Sequence, residues 1–166
     1  NFLCQFAFGL SYYYGNNFDL SLNHSYNSIK LNEKFAHGRR LFCSSLFQID
    51  EKQRAYNEMF KALDLYSDIY GQWRTYFELW RFNFLDNNLD EAKKYSKKLI
   101  NLQPEYPQTY IASLALEENK KKGIPLKRKL MELQPNFTPA MIKNFHTWIR
   151  DDQAAKIIDV LKFHLG

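Results

Sequence analysis

Residues 9–31, GLSYYYGNNFDLSLNHSYNSIKL, and residues 43–65, CSSLFQIDEKQRAYNEMFKALDL, stand 34 positions apart and read as two versions of one segment. The shift places Gly9 on Cys43, Tyr12 on Leu46, Ser21 on Ala55, Ser28 on Ala62 and Leu31 on Leu65, so small residues meet small ones and apolar residues meet apolar ones. A further shift of 37 carries Ala55 to Ala92, Ala62 to Leu99 and Leu65 to Leu102. One of 31 carries the LQP of 102–104 to the LQP of 133–135. A period of this length marks supersecondary units that cannot bury their apolar faces alone and must stack.

Inside each unit the period is helical. Leu3, Phe6, Ala7, Leu10, Tyr13 and Tyr14 fall on one helical stripe, and the pattern resumes at Phe18 with Leu22, Ile29 and Leu31. Gly15-Asn16-Asn17 and Asp86-Asn87-Asn88 supply residues that tolerate left-handed backbone and start helices. The spacing predicts helix pairs at 2–15 and 18–31, 35–48 and 52–66, 73–86 and 89–102, and 106–118 and 124–133. Gly123 and Pro125 then fall at a turn and the start of a helix. Thr138-Pro139 opens a closing pair, and its last helix begins at Asp151-Asp152 and ends at Gly166.

Helix-turn-helix units at a period of 34, with small residues at the crossings and a proline soon after the second helix, resemble the tetratricopeptide repeat (TPR) over residues 2–135. The first two units lack the closing proline, and the third carries Phe77 or Trp80 where the first two carry Gly9 and Cys43. The resemblance implies an all-α fold: an α-solenoid of about four helix hairpins over 1–135 and a capping helix pair over 136–166. The tail LQPNFTPAMIKNFHTWIRDDQAAKIIDVLKFHLG (133–166) resembles the closing segment of bacterial TPR-type regions joined to winged-helix or nucleotide-cyclase domains. It implies the C-terminal regulatory part of a larger bacterial signalling or transcription-regulatory protein. An opening on Asn1 directly into an apolar helical pattern is likewise the expectation for a piece of a longer chain.

Composition narrows the function classes. With 166 residues, 45% hydrophobic and 25% charged, and only 6 Gly and 5 Pro, the chain has apolar surface for a core, which excludes disorder and collagen-like structure. The best apolar run, Phe2 to Tyr14, is too short to cross a bilayer and lacks the flanks of a signal peptide. Cys4 and Cys43 can form one bridge at most, which fits a reducing, cytoplasmic setting. There is no G-x-G-x-x-G, P-loop, H-E-x-x-H, C-x-x-C or G-x-S-x-G, and His24, His37, His146 and His164 are scattered. Cys43 and His37, six residues apart on one predicted helix, point different ways. No catalytic residue, metal ligand or cofactor is expected.

In tetratricopeptide-like arrays the first helix of each pair lines a concave surface, so the resemblance implies a groove for a protein or peptide partner. Carried onto this chain, that surface runs through Leu3, Phe6, Leu10, Tyr13 and Tyr14, then His37, Arg40, Ser44, Phe47 and Gln48, then Arg74, Phe77, Arg81, Phe84 and Leu85. Tyr13, Tyr14, His37, Arg40, Phe47, Arg74, Phe77, Arg81 and Phe84 are the expected anchors. Arginines among aromatic rings suit a segment with acidic and apolar side chains. The Lys/Asn clamp of chaperone-binding relatives is absent.

Charge offers a second class of function. The net charge of +5 arises from +1 over residues 1–50, −3 over 51–92, +7 over 93–130 and 0 over 131–166. Lys93, Lys94, Lys97 and Lys98 lie outward on a helix whose Leu89, Ala92, Leu99 and Leu102 face in. A second group, residues 120–122 and 127–129, flanks Gly123 and Pro125. A solvated face is the default reading, and nucleic-acid binding through 93–129 competes with it. A third class is a small-molecule sensor, which requires a pocket between Tyr12–Tyr14 and Phe42–Phe47. Exposed first-helix aromatics would also allow self-association.

Overall fold

Left-handed backbone recurs at Asn16, Asp50 and Asn87, with φ of 57°, 67° and 60°. These positions keep the spacings of 34 and 37 found in the sequence, and each ends a helix by the same pair of bonds. The amide of Asn17 donates to Tyr12 O, that of Glu51 to Leu46 O and that of Asn88 to Asn83 O, at 2.9, 3.0 and 2.8 Å. One residue earlier, Asn16 donates to Tyr13 O, Asp50 to Phe47 O and Asn87 to Phe84 O. This satisfies the last carbonyls of each helix and turns the chain directly into the next. Asn and Asp accept the left-handed region at little cost, so three unlike sequences make one turn.

The computed structural model describes residues 1–145 and 150–166; His146 lies outside them. It is all-α, with no strand among the described residues. The helices are α1 Phe2–Tyr14, α2 Phe18–Leu31, α3 Ala36–Gln48, α4 Lys52–Leu65, α5 Ile69–Leu85, α6 Leu89–Leu102, α7 Pro107–Leu114 and α8 Lys120–Leu133. After a single 3-10 turn, Pro139–Met141, come α9 Ile142–Phe145 and α10 Asp151–Leu165. Two starts differ from the spacing by more than one residue. Helix α5 begins four residues early because Asp68 Oδ1 accepts the Gly71 amide at 2.6 Å and caps it. Helix α8 begins at Lys120 rather than 124, because Asn119 Oδ1 accepts the amides of Lys121 and Lys122 at 2.9 and 3.3 Å. Gly123 and Pro125 therefore lie inside α8 and do not begin it.

The described chain divides into two units, Asn1–Thr75 and Tyr76–Gly166. In the first, α1 packs on α2, α2 on α3 and α3 on α4. The buried residues of α2 are Ser21, Ser25, Ser28 and Ile29, and those of α4 are Ala55, Met59 and Ala62, which stand 34 positions after the three serines. Small side chains let the backbones approach. A Cβ on Gly9 would lie 3.0 Å from Leu41 Cδ2 and 3.3 Å from Ser25 N, so α1 uses its glycine to sit against α2. The hydroxyls stay satisfied: Ser21 and Ser45 share a bond of 2.8 Å, Ser25 donates to Ser21 O and Ser28 to Phe2 O.

Arg39 of α3 is joined to Glu58 of α4, and Lys61 bonds the other Glu58 oxygen at 2.6 Å. Burial alone would raise the Glu58 carboxyl, but the bonds from Lys61 and Arg39 outweigh it and hold the group below its usual range. The stabilisation is thus present above the unfolded-state value and is lost as pH falls through the lower folded-state one. Glu58→Gln is expected to cost about 1 kcal/mol at neutral pH, and urea titrations should show the difference shrinking below about pH 4.

In the second unit, the buried stripes are Ala92, Ser96 and Leu99 on α6, Gly123 and Leu130 on α8, and Ala154, Ile157, Ile158 and Leu161 on α10. Lys93, Lys94, Lys97 and Lys98 are exposed, as the spacing requires. Lys156 ties α10 to the α5–α6 turn, donating to Leu85 O at 3.1 Å and to Asn87 Oδ1 at 2.8 Å. Its ammonium thus occupies the carbonyl end of α5, where the helix dipole favours a cation.

Candidate functional site

Eight of the nine expected anchors separate into two groups. Tyr13, Phe47 and Phe84 occupy one repeat position, 34 and 37 residues apart, and all three are buried. They stand in the last turn of a first helix; Tyr13, for example, packs edge-on against Phe18 at the start of α2. Phe77 and Arg81 are buried as well, Arg81 completely, with its Nη2 2.6 Å from Glu78 Oε2. These five residues therefore belong to the interior and present no open lining. Tyr14 is exposed. The pocket expected between Tyr12–Tyr14 and Phe42–Phe47 falls where Phe42–Phe47 are buried and Gln48 Nε2 donates to Tyr13 Oη at 3.4 Å.

His37, Arg40 and Arg74 come together in the first unit. His37 and Arg74 are 37 residues apart, at the same place in successive first helices. Between them lies Tyr66, whose ring is buried against Gly71 and whose hydroxyl is 2.9 Å from His37 Nδ1. Arg40 bonds the same hydroxyl. A guanidinium can only donate, so the phenol hydrogen is left for Nδ1 of a neutral imidazole. Burial of the ring edge that meets Tyr66 first, and the Arg40 charge second, push His37 below its usual value, which agrees with that arrangement. Burial raises the Tyr66 phenol more than Arg40 lowers it, so Tyr66 stays protonated at neutral pH.

Around this chain of bonds, Asp68 and Arg74 act on His37 through their charges, and Arg74 Nη1 donates to Tyr70 Oη at 3.2 Å. Phe6 and Phe35 flank the imidazole at 6.5 and 5.9 Å between ring centres, and they meet each other edge-on at 5.1 Å. The patch is therefore two partly exposed guanidinium groups and an exposed histidine beside half-buried phenyl rings. Such a surface can take a carboxylate on its cations and an apolar group on its rings. Sequence reasoning missed Tyr66 and Asp68. Tyr66 follows the last residue of α4, outside any helical stripe, whereas Ser67-Asp68 with Gly71 three residues on is a legible capping signal.

Cys43 is buried, which pushes its thiol far up, and its Sγ donates to Arg39 O; Cys4 is exposed. Among the described residues no group of three or more His, Cys, Asp or Glu could hold a metal ion. No described helix is long and apolar enough to cross a membrane.

These features define an all-α chain with repeat-like helical hairpins and a cationic, aromatic-flanked surface patch. The chain matches no family model, and no curated protein matches it.

Proposed function

We propose that the chain is a non-catalytic interaction module of the tetratricopeptide kind, an α-solenoid of hairpins with a C-terminal cap. It serves as the regulatory part of a larger bacterial signalling or transcription-regulatory protein in the cytoplasm. Its partner is a protein segment bearing acidic and apolar side chains, bound over His37, Arg40 and Arg74. The observation that carries this reading is the convergence of those three residues on Tyr66, beside Phe6 and Phe35. The bond from Tyr66 restrains the His37 ring, and its bond to Arg40 restrains the guanidinium, so less side-chain freedom is lost on binding than at an unstructured surface. The turns repeated at Asn16, Asp50 and Asn87 support the repeat architecture.

Peptides selected on the chain from a random display library should be enriched in Asp or Glu next to an apolar residue. By calorimetry, Arg40→Ala with Arg74→Ala should weaken a selected peptide by about a hundredfold, as expected for two charge-assisted contacts of about 1.4 kcal/mol each. Unchanged affinity in that double variant removes the reading.

A further inference from the structure

Helix α8 carries Lys120, Lys121, Lys122, Lys127, Arg128 and Lys129 against one acid, Glu132. Three other lysines of the second unit have a carboxylate one turn away: Lys94 pairs with Glu91, Lys129 with Glu132 and Lys162 with Asp159. Among the described residues, Lys120, Lys121 and Lys127 make no ion pair. These three line one concavity of about 430 Å³, together with Lys162, Ile124, Phe163 and Gly166, and the one carboxylate on its lining is the main-chain carboxylate of Gly166.

The walls are fixed by specific contacts. Gly123 admits the His164 ring, since a Cβ there would lie 2.5 Å from its Nδ1. His164 Nε2 donates to Glu117 O at 2.6 Å, which joins the end of α10 to the segment before α8. Lys127 Nζ donates to His164 O at 3.2 Å, and Lys120 Nζ lies 4.9 Å above the centre of the Phe163 ring. Two ammonium groups are thus held in place around the concavity, and with Lys121 and Lys162 they outnumber the single Gly166 carboxylate there. The volume suits a small ligand. Several lysine point charges match a group carrying two or more negative charges better than a single carboxylate.

We infer that this concavity binds a small phosphorylated anion, with phosphate oxygens on Lys120, Lys121 and Lys127 and the organic part against Ile124 and Phe163. None of these residues belongs to the peptide patch of the first unit, so either site can fail without the other. The test is calorimetry of the full chain with pyrophosphate and with metal-free ATP, at low and at raised salt. Saturable one-to-one binding is expected, tighter for ATP and weaker at raised salt. Lys120→Ala with Lys127→Ala should weaken both probes by about tenfold or more, and Phe163→Ala should weaken ATP alone. Lys94→Ala with Lys129→Ala, which removes lysines already paired with carboxylates, should change neither. Circular dichroism checks the fold of each variant, and Lys120→Gln with Lys127→Gln replaces an alanine pair that misfolds. The inference is overturned by absent or non-saturable binding of both probes, or by equal losses in the two lysine pairs. It is also overturned if a single-stranded oligonucleotide binds more tightly than ATP and loses affinity equally in both pairs, which would mean an extended nucleic-acid surface.

Discussion

Glu78→Ala should lower the stability of the second unit by about 3 to 5 kcal/mol. Arg81 has no exposed surface and Glu78 only 3%, and their side chains meet one turn apart on α5 at 2.6 Å. Neither ion recovers its lost hydration from water, and each offsets charge on the other. Removing the carboxylate leaves a guanidinium that cannot lose its proton in the interior. Replacing both partners by apolar residues removes the problem along with the pair. Urea denaturation should therefore find Glu78→Leu/Arg81→Met close to the parent or above it, and Glu78→Ala far below. If Glu78→Ala costs less than about 1 kcal/mol, the Glu78 carboxylate is not what compensates the Arg81 charge.

Gly71→Ala should cost about 3 kcal/mol and remove the peptide patch with it. Alanine is the better helix former by about 1 kcal/mol, so propensity alone predicts a gain at this first-turn position. Packing reverses the sign. A Cβ at Gly71 would lie 2.0 Å from Tyr66 Cδ1 and 2.5 Å from Cε1, far inside van der Waals contact. The phenol ring must leave its buried site, breaking its bond to His37 and its contact with Arg40. The effects of the two residues should therefore not add: in a Tyr66→Ala background, Gly71→Ala becomes neutral or slightly stabilising. A thermodynamic cycle of the four proteins measures this coupling, and simple additivity would show that the ring and the glycine do not touch.

The helices were legible because two independent signals agreed, an apolar period near 3.6 and Asn-rich turns at a fixed spacing. At the α3–α4 turn the second signal was weak, since Ile49-Asp50-Glu51 contains no Gly or Asn, yet Asp50 takes the same left-handed backbone as Asn16 and Asn87. The start of α8 was misplaced because Gly123 and Pro125 read as helix breakers. The Asn119 cap and the close fit of His164 on Gly123 hold the helix through both. The candidate site was only partly legible for a related reason. A helical stripe shows which residues share a face without showing whether that face is covered. Phe47 and Arg40 lie on the same first helix, yet one is buried and the other half-exposed. Tyr66, which organises the patch, follows the end of α4 and belongs to no stripe, so only coordinates bring it to His37.

The exposed lysines of α6 show how little charge count says about function. Lys94 is paired with Glu91, and Lys98 lies 4.7 Å above the Tyr76 ring, while Lys120, Lys121 and Lys127 converge on a concavity around α8. Placement, more than number, separates a solvated face from an anion site.

Mapping backbone-amide chemical shifts of the labelled chain, as a selected acidic peptide is added, is the most direct test of the proposed interaction surface. The largest changes are predicted at residues 36–40 and 66–74, with the His37 ring among them. Changes confined to 89–102 or 120–129, with residues 36–40 and 66–74 unmoved, would contradict the proposed role of His37, Arg40 and Arg74.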